Sequence, residues 1–435
     1  MDYSDALAYI HSRRRFGSTL GLERIETLLA LLGNPERSVK CIHVAGTNGK
    51  GSTSAMFAEV FTRAGYKTGL YVSPYVEDFR ERIQIDRRLI PERDLARWVE
   101  TLIPLAEETE RITGTPVTEF ELETALAFAY YAEEKCDLAV MEVGLGGRFD
   151  ATNVIEKPLL SVICYIGLDH TAILGDTYAK IAFEKCGIIK RGCPVVSYAR
   201  QRPEALAVIR EECRKKESPL LLPDPGALEI LSLSPEGSEF LYRKKRYRLA
   251  IPGEHIVKNA LSVIEGCLAL DPLFPGIGGR IGEALSGVSF GGRFEKVAPD
   301  LYIDAAHNPD CVDAVSDTVE KLFPGRKLVI VMGMLADKDH AYCVEKIARA
   351  ADFFFAVTPD SPRAQSAEIT AREAKPFVPS AEACSSLREA AEKAIAVREK
   401  CGGVLLALGS LYYIGAMKRE LLAVLNGKEA AHENH

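Results

Sequence analysis

The sequence predicts an α/β protein in which two domains each contain a mostly parallel sheet. Three observations predict this fold. Short apolar runs alternate with segments of helical period along the chain, which is the pattern of parallel sheets covered by helices. A glycine-rich loop lies between the first apolar run and a helical segment. A second glycine-rich segment, residues 287–293, separates two such α/β series.

Five apolar runs in the first series predict strands, because each is too short for a helix and has turn residues on both sides. Longer segments with apolar residues at helical spacing predict helices. The predicted strands are residues 39–45, 68–72, 137–143, 159–166 and 194–198, and the predicted helices include residues 51–64, 92–111, 121–134 and 178–188. The short alternating pieces of residues 228–250 predict an added β-hairpin instead.

The glycine-rich segment 287–293 predicts a linker, since such segments are typical of domain boundaries. We therefore expect domains at residues 1–290 and 291–435. A second α/β series follows, with predicted strands at residues 301–305, 327–331, 352–357 and 404–408 and helices between them. The C-terminal domain is thus predicted to be a smaller, Rossmann-like α/β domain.

The composition is that of an ordinary globular chain. Of the 435 residues, 47% are hydrophobic and 26% are charged, which excludes a mainly disordered protein. The formal net charge of −7 argues against broad binding to nucleic acid, and the apolar runs are far shorter than the roughly 20 residues that cross a bilayer. Eleven scattered cysteines and a polar, acidic N-terminus predict reduced thiols in a cytoplasmic protein.

The strongest local signal is the sequence HVAGTNGKGST at residues 43–53. It lies between a predicted strand and a predicted helix, where backbone N–H groups and the helix dipole favour a phosphate, and Lys50 adds a positive charge. The usual pattern G-x-x-x-x-G-K-[ST] is not met, because Val44 stands at its first glycine and Gly51 follows Lys50. A glycine-rich turn with a solvated lysine is the alternative. The context favours a P-loop-type ATPase domain, with phosphate bound by Thr47, Asn48, Gly49, Lys50, Gly51 and Ser52.

Polar residues also follow other predicted strands. Glu142 ends one strand, and an acid at the carboxyl end of a parallel strand can hold Mg²⁺ beside a phosphate loop; an ion pair with a nearby base is the alternative. The loop at residues 144–153 is dense in glycine and hydrogen-bonding groups, which favours a ligand. A single histidine is more often structural, but His170 is expected at the same sheet edge as Glu142. Lys185 is most simply a cation near a helix C-terminus.

The C-terminal domain has a similar group of polar residues. Asp304 and His307 follow its first predicted strand and are expected at the carboxyl edge of its sheet. Arg293, in the linker, is expected to reach a phosphate across the cleft as a forked donor. For each of these residues alone, a surface polar side chain is the alternative. Only their convergence favours a site.

Taken together, these motifs resemble the folylpolyglutamate synthase/dihydrofolate synthase family of the Mur ligase superfamily. The resemblance extends over nearly the whole chain. It depends on many motifs in the same order, which is far more specific than one phosphate loop. The motifs are residues 46–52, 73–74 with 81–83, 142–153, 167–170, 184–190, 292–295 and 304–309.

The resemblance implies a role for each candidate residue. Residues 1–290 would bind ATP and a pterin, and residues 291–435 would form the glutamate-ligase domain. Lys50, His170 and an N-carboxylated Lys185 would be catalytic. Two Mg²⁺ sites are implied, with Ser73, Glu142 and His170 as ligands. Further contacts to ATP are implied for Asn259, Arg293, Asp304 and His307. Contacts to the other substrates are implied for Thr118, Glu119, Phe120, Glu121, Phe149, Asp150 and Ala151 on the pterin side and for Ser410 on the glutamate side.

The implied reaction is ATP-driven amide formation, because a carboxylate is too poor an electrophile to be attacked directly by an amine. Its small-molecule substrates would be L-glutamate and dihydropteroate, a reduced folate or both. A monomer is expected, with no nucleic-acid or membrane partner. Three alternatives remain. A P-loop regulatory or transport ATPase would not need glutamate, and a nucleotide-binding scaffold would do no chemistry. A cell-wall ligase would need a front domain, for which the residues before Gly46 are expected to be too few.

Overall fold

The computed structural model describes residues 1–16 and 21–433. The chain divides into two compact units. The first comprises residues 1–228, 242–247 and 258–288, and the second comprises residues 229–241, 248–257 and 289–435. The predicted domain boundary at residue 290 stays a prediction. Within the described ranges, no helix is both long and apolar enough to span a membrane.

The first unit is built on an eight-stranded, mostly parallel sheet, as predicted. Its strands are β1 (Cys41–Ala45), β2 (Thr68–Tyr71), β3 (Ile83–Ile85), β4 (Arg88–Leu89), β5 (Leu138–Glu142), β6 (Leu160–Ile163), β7 (Val195–Ser197) and β8 (Leu220–Leu221). They lie in the order β4-β3-β2-β5-β1-β6-β7-β8. The pairs from β2 to β8 are parallel, and β3 and β4 add an antiparallel edge. All five predicted strands are present.

Helices cover this sheet. They are α1 (Tyr3–Ser12), α2 (Glu23–Leu31), α3 (Lys50–Arg63), α4 (Glu92–Thr113), α5 (Glu119–Glu133), α6 (Thr171–Leu174), α7 (Tyr178–Lys185), α8 (Pro203–Lys215), α9 (Glu254–Leu270) and α10 (Ile277–Gly287). The four predicted helices are present, whereas α1 and α2 were not predicted. The apolar side chains of α1, α2, α4 and α5 form one core with the sheet, which includes Ile10, Leu28, Tyr71, Leu102 and Phe128.

The predicted hairpin is part of a three-stranded sheet in the order β11-β10-β9. Its strands are β9 (Leu228–Ser234), β10 (Gly237–Tyr242) and β11 (Lys245–Leu249). Arg243 and Lys244 connect β10 to β11, and their φ angles of 48° and 66° are both positive. Positive φ at both central residues is the geometry of a type I′ turn, whose twist matches that of the strands beside it.

The second unit contains a six-stranded sheet in which one edge strand is antiparallel. Its strands are β12 (Glu295–Ala298), β13 (Leu301–Asp304), β14 (Leu328–Met332), β15 (Phe353–Ala356), β16 (Ser380–Ala383) and β17 (Val404–Leu408). They lie in the order β12-β13-β17-β14-β15-β16, with only the β12–β13 pair antiparallel. The helices are α11 (Pro309–Leu322), α12 (His340–Ala348), α13 (Ala367–Ala374), α14 (Leu387–Cys401) and α15 (Leu411–Glu433). The predicted α/β fold is confirmed here as well.

Candidate active site

The glycine-rich loop connects β1, a fully buried strand between β5 and β6, to the start of α3. Thr47 and Asn48 donate their backbone N–H groups to Tyr165 O, at 2.8 and 3.2 Å, which ties the loop to the end of the neighbouring strand. The Nζ of Lys50 lies 3.3 Å from Thr47 O. The N–H groups in the first turn of a helix have no partner within the helix, so Lys50, Gly51 and Ser52 present donors at this point. The loop has the strand–loop–helix geometry that suits a phosphate.

Gly49 has a left-handed conformation, with φ 85°, immediately before α3. A Cβ atom at this position would lie 2.6 Å from Nδ2 of Asn259. Only glycine therefore fits both the backbone angle and the close approach of the amide. Asn259, on α9, is 4% exposed. The structure thus places this predicted ATP contact directly against the glycine-rich loop at residues 46–49, the predicted nucleotide loop.

Two of the predicted metal ligands lie together at the carboxyl edge of the sheet. Glu142 ends β5 and is 3% exposed, and Ser73 follows the adjacent parallel strand β2. The backbone N–H of Ser73 donates to Glu142 Oε2 at 3.1 Å. The third predicted ligand, His170, follows β6 at the same edge and precedes α6. Its side chain is 44% exposed, and its Nε2 lies 3.9 Å from Asp169 Oδ1.

Lys185 is the last residue of α7, and its side chain is buried in the first unit. Its Nζ donates to Gly46 O at 2.8 Å, which places the amine at the nucleotide loop. Burial and the positive charge of Lys50 lower the pKa of Lys185 to about 7, against the opposing charge of Asp169. The surroundings of Lys185 thus favour the neutral form of its amine. Lys185 is therefore not a solvent-exposed cation at the end of a helix, which was the simplest interpretation of its position in the sequence.

Asp169 is the charged residue that the sequence analysis did not single out. Its side chain is only 9% exposed, and its negative charge acts on the nearby Lys185 amine. Its position directly before His170, after a strand of the parallel sheet, was the available signal.

The loop at residues 144–153 contains three predicted pterin contacts with different surroundings. Phe149 is 46% exposed. The Asp150 carboxylate is buried and accepts the N–H groups of Leu145, at 2.9 Å, and Thr152, at 3.0 Å. Burial raises the pKa of Asp150, and these hydrogen bonds oppose that shift. Ala151 packs into the core beside α5. Of the three, Phe149 is the most accessible to a ligand.

The start of α5 contains the other four predicted pterin contacts. Phe120 packs against the loop, because a Cβ at Gly144 would lie 2.6 Å from its ring. Thr118 and Glu121 form a capping box, in which Thr118 N donates to Glu121 Oε2 at 2.8 Å and Glu121 N donates to Thr118 Oγ1 at 3.3 Å. Glu119 accepts a hydrogen bond from Arg14 at 2.9 Å. The bonds of Thr118 and Glu121 are thus made within the fold.

Removing the Glu121 carboxylate should destabilise the protein, since this group forms a buried ion pair with Arg24. The Arg24 Nη2 and Glu121 Oε1 atoms are 2.9 Å apart, with side-chain exposures of 8% and 5%. Glu121→Ala would remove the carboxylate of this buried ion pair, and breaking such a pair costs about 3–5 kcal/mol of unfolding free energy. Glu119→Ala is the matched control, because its partner Arg14 is 53% exposed and such pairs contribute about 1 kcal/mol or less. Urea unfolding measures both; equal losses would contradict the structural role of Glu121.

The predicted residues of the second unit form a group around Asp304. This carboxylate ends β13, is buried, and accepts the N–H groups of Phe294 and Ala306, both at 2.7 Å. Burial raises the pKa of Asp304, while the charges of Arg293 and His307 oppose the shift. The three predicted ATP contacts of this unit, Arg293, Asp304 and His307, therefore lie near one another.

Ser410, the predicted glutamate contact, immediately precedes α15 and is 1% exposed. Its Oγ accepts the N–H of Tyr412 at 3.2 Å. This hydrogen bond helps to cap the helix, which is the usual role of a serine at such a position.

The chain matches two protein-family models in succession. The Mur ligase middle domain matches residues 44–266, and the Mur ligase glutamate ligase domain matches residues 292–411. Among curated relatives, the dihydrofolate synthase/folylpolyglutamate synthase of Bacillus subtilis is 37% identical over 96% of this chain and 99% of its own length. The folylpolyglutamate synthase of Lacticaseibacillus casei is 36% identical over 84% of this chain and 87% of its own.

Solved structures give the same result. The Mycobacterium tuberculosis folylpolyglutamate synthase complexed with ADP and AMPPCP superposes with a TM-score of 0.86, at 30% identity, over 97% of this chain and 99% of its own. A solved FPGS–AMPPCP–folate complex superposes with a TM-score of 0.82, at 31% identity, over 97% of this chain and 100% of its own. The fold, the ordered motifs and the extent of these matches agree. The chain belongs to the folylpolyglutamate synthase/dihydrofolate synthase family of the Mur ligases.

Proposed function

We propose that the chain joins L-glutamate to a pterin-containing acid, either dihydropteroate or a reduced folate, at the expense of ATP. The acceptor carboxylate attacks the γ-phosphorus of ATP, which forms an acyl phosphate and releases ADP. The amino group of glutamate then attacks the acyl carbon, and phosphate leaves as the amide forms. The chain is an ATP-dependent ligase by its family, and we propose that it acts as a monomer.

The observation that carries this proposal is the grouping of three features at one sheet edge. They are the loop that begins α3, the buried carboxylate of Glu142 and the buried amine of Lys185, which donates to Gly46 O within the loop. A loop that only binds nucleotide needs no buried amine with a lowered pKa. A ligase that transfers a phosphoryl group needs charged groups held in place around it before the reaction begins.

We assign Mg²⁺ to Ser73 and Glu142. Within residues 1–16 and 21–433, no group of three or more His, Cys, Asp and Glu side chains is close enough to hold a metal ion. The Glu142 carboxylate, which Ser73 contacts through its backbone N–H, nevertheless fits Mg²⁺, which commonly takes one or two carboxylates and completes its shell with phosphate oxygens and water. When bound, Mg²⁺ would neutralise charge on the transferring phosphoryl group. His170 is proposed to serve a second Mg²⁺.

We propose that Lys185 carries a carboxylate on its Nζ. The neutral amine attacks CO₂, an N–C bond forms, and the nitrogen loses one proton to solvent. The side chain changes from a neutral amine to a negatively charged carbamate. Its remaining N–H can still donate to Gly46 O. The lowered pKa and the burial of Lys185 favour this reaction, since only an unprotonated amine attacks CO₂. The nearby charge of Lys50 would stabilise the product.

The remaining assignments follow the same proposal. Thr47, Asn48, Gly49, Gly51 and Ser52 would contact the phosphates through the loop, and Asn259 would fix Gly49 beside them. In the second unit, Arg293, Asp304 and His307 are proposed to contact ATP. Phe149 and Phe120 are proposed to contact the pterin, with Asp150 and Ala151 shaping the loop around them. Glu119 is proposed to contact the acceptor, and Ser410 is proposed to contact glutamate.

One assay tests the proposal directly. Purified protein is given ATP and Mg²⁺ with either dihydropteroate or tetrahydrofolate, with and without L-glutamate. We expect phosphate release that depends on both the acceptor and glutamate, and a product heavier than the acceptor by one glutamyl residue in mass spectrometry. Hydroxylamine should trap the activated acceptor as a hydroxamate. Phosphate release that ignores every acceptor and amino acid would overturn the proposal and favour an ATPase.

A further inference from the structure

A chain of hydrogen bonds connects the strand before the nucleotide loop to the loop at residues 144–153. His43, in the middle of β1, is fully buried, and its Nε2 lies 2.8 Å from Thr152 Oγ1. Thr152 is also fully buried, and its Oγ1 donates to Asp150 Oδ1 at 2.5 Å. Three side chains from two segments thus form one continuous path, and all three belong to the first unit.

The direction of this path follows from the chemistry of its members. The Thr152 hydroxyl has one proton, and it donates this proton to Asp150 Oδ1. The Thr152 oxygen then accepts from His43, whose Nε2 must carry a proton. The other ring nitrogen, Nδ1, is buried and has no hydrogen-bond partner among the residues that the structure describes, as expected for a lone pair. Burial and the charge of Lys190 lower the pKa of His43 to about 3, so the ring stays neutral.

The loop at residues 144–153 makes several further contacts with the rest of the first unit. Asn153 Nδ2 donates to Arg148 O at 2.9 Å, and Lys190 Nζ donates to Asn153 O at 3.1 Å. A Cβ at Gly147 would lie 2.7 Å from Lys185 O, so the loop lies against the end of α7. Phe149, which is exposed, directly precedes Asp150. The Asp150 carboxylate accepts the N–H groups of Leu145 and Thr152, so it holds together the two sides of the loop that carries Phe149.

We propose that His43 and Thr152 are positioning residues for the acceptor side of the site: the directed path from β1 through Thr152 fixes Asp150, and Asp150 fixes the loop that carries Phe149. This inference rests on the proposed function, in which that loop binds the pterin-containing acid. It assigns no chemical step to His43. Because His43 lies three residues before Gly46, the same strand supports both the nucleotide loop and the loop at residues 144–153.

The test uses pairs of variants that remove or retain one donor. His43→Leu removes the Nε2–H group, whereas His43→Gln retains an amide N–H near the same position. Thr152→Val removes the hydroxyl group, whereas Thr152→Ser retains it. We expect His43→Leu and Thr152→Val each to raise the KM for the acceptor about tenfold, with less than a twofold change in the KM for ATP. His43→Gln and Thr152→Ser should restore most of the acceptor KM, and the double variant His43→Leu/Thr152→Val should be no worse than either single variant.

A merely structural role predicts a different result. Equal increases in both KM values, additive losses in the double variant, or a His43→Gln variant as impaired as His43→Leu would each overturn the inference. A readout that needs no activity separates it from the proposed function. In full-length protein labelled with ¹⁵N-histidine, the His43 ring should show the neutral Nε2–H tautomer, and Thr152→Val should shift its Nε2 signal. An Nδ1–H tautomer, or a signal unchanged by Thr152→Val, would overturn the path even if ligation is observed.

Discussion

Replacing Lys50 by alanine should lower the rate of ATP-dependent glutamate ligation by about 10²–10³-fold, the loss that follows removal of one preorganised group from a transition state. Lys50 is the first residue of α3, and its Nζ lies at the nucleotide loop. No other residue of the segment 46–52 is cationic. Initial rates with saturating acceptor and glutamate, together with calorimetric titration of an ATP analogue, measure the effect on catalysis and on binding.

The control is Lys67→Ala. Lys67 follows the same helix, but its Nζ forms a partly exposed ion pair with Glu134 at 2.7 Å. This variant removes an equal charge from the same βαβ segment and should retain the wild-type rate. If a folded Lys50→Ala protein ligates glutamate within a few-fold of the wild type, the loop does not bind the reacting phosphates through Lys50, and the assignment is wrong.

Lys185→Ala should also lose about 10²-fold or more in ligation rate, and added short carboxylic acids such as acetate should restore part of it. The alanine leaves a space at the nucleotide loop where the buried side chain had been. A small carboxylate can enter that space and supply the charge that the proposed N-carboxylated lysine supplies. Rates measured across a series of carboxylic acids should therefore decrease as the acid becomes too large for the space.

Lys180→Ala provides the matched control, since Lys180 lies on the same helix with its side chain 64% exposed. It should retain activity and show no response to acetate. Wild-type protein supplied with ¹³C-bicarbonate should give a carbamate carbon signal that is missing from Lys185→Ala. Full activity of Lys185→Ala would exclude the carboxylated lysine, and so would the same ¹³C signal in both proteins.

The central strands of both sheets could be predicted because each buried strand is a continuous apolar run in the sequence. The apolar run at residues 39–45 contains β1, whose five residues are all buried. The strands that were not predicted contain no such apolar run. The edge strand β4 has two residues, both exposed, and β16 has the sequence SAEA with an alternately exposed pattern. Helices α1 and α2 depend on packing against α4 and α5, and this packing involves residues far away in the sequence.

The site was predictable to the extent that parallel strands bring their ends together. Ser73 and Glu142 are neighbours because β2 and β5 pair directly. The surroundings of Lys185 were not predictable, because its burial and its bond to Gly46 arise from packing between segments about 140 residues apart. The ligand contacts that the family resemblance implies for Thr118 and Glu121 stay predictions, and the hydrogen bonds between these two residues are local, three positions apart in the sequence.

The close fit of Gly49 against Asn259 has a consequence for how the protein matures on the ribosome. The nucleotide loop is synthesised early, but the amide that lies against it belongs to a helix made more than two hundred residues later. Domains form as units during translation, with the earlier part first. Nascent chains that end before α9 should therefore hold ATP analogues weakly, and affinity should rise once that helix has left the exit tunnel.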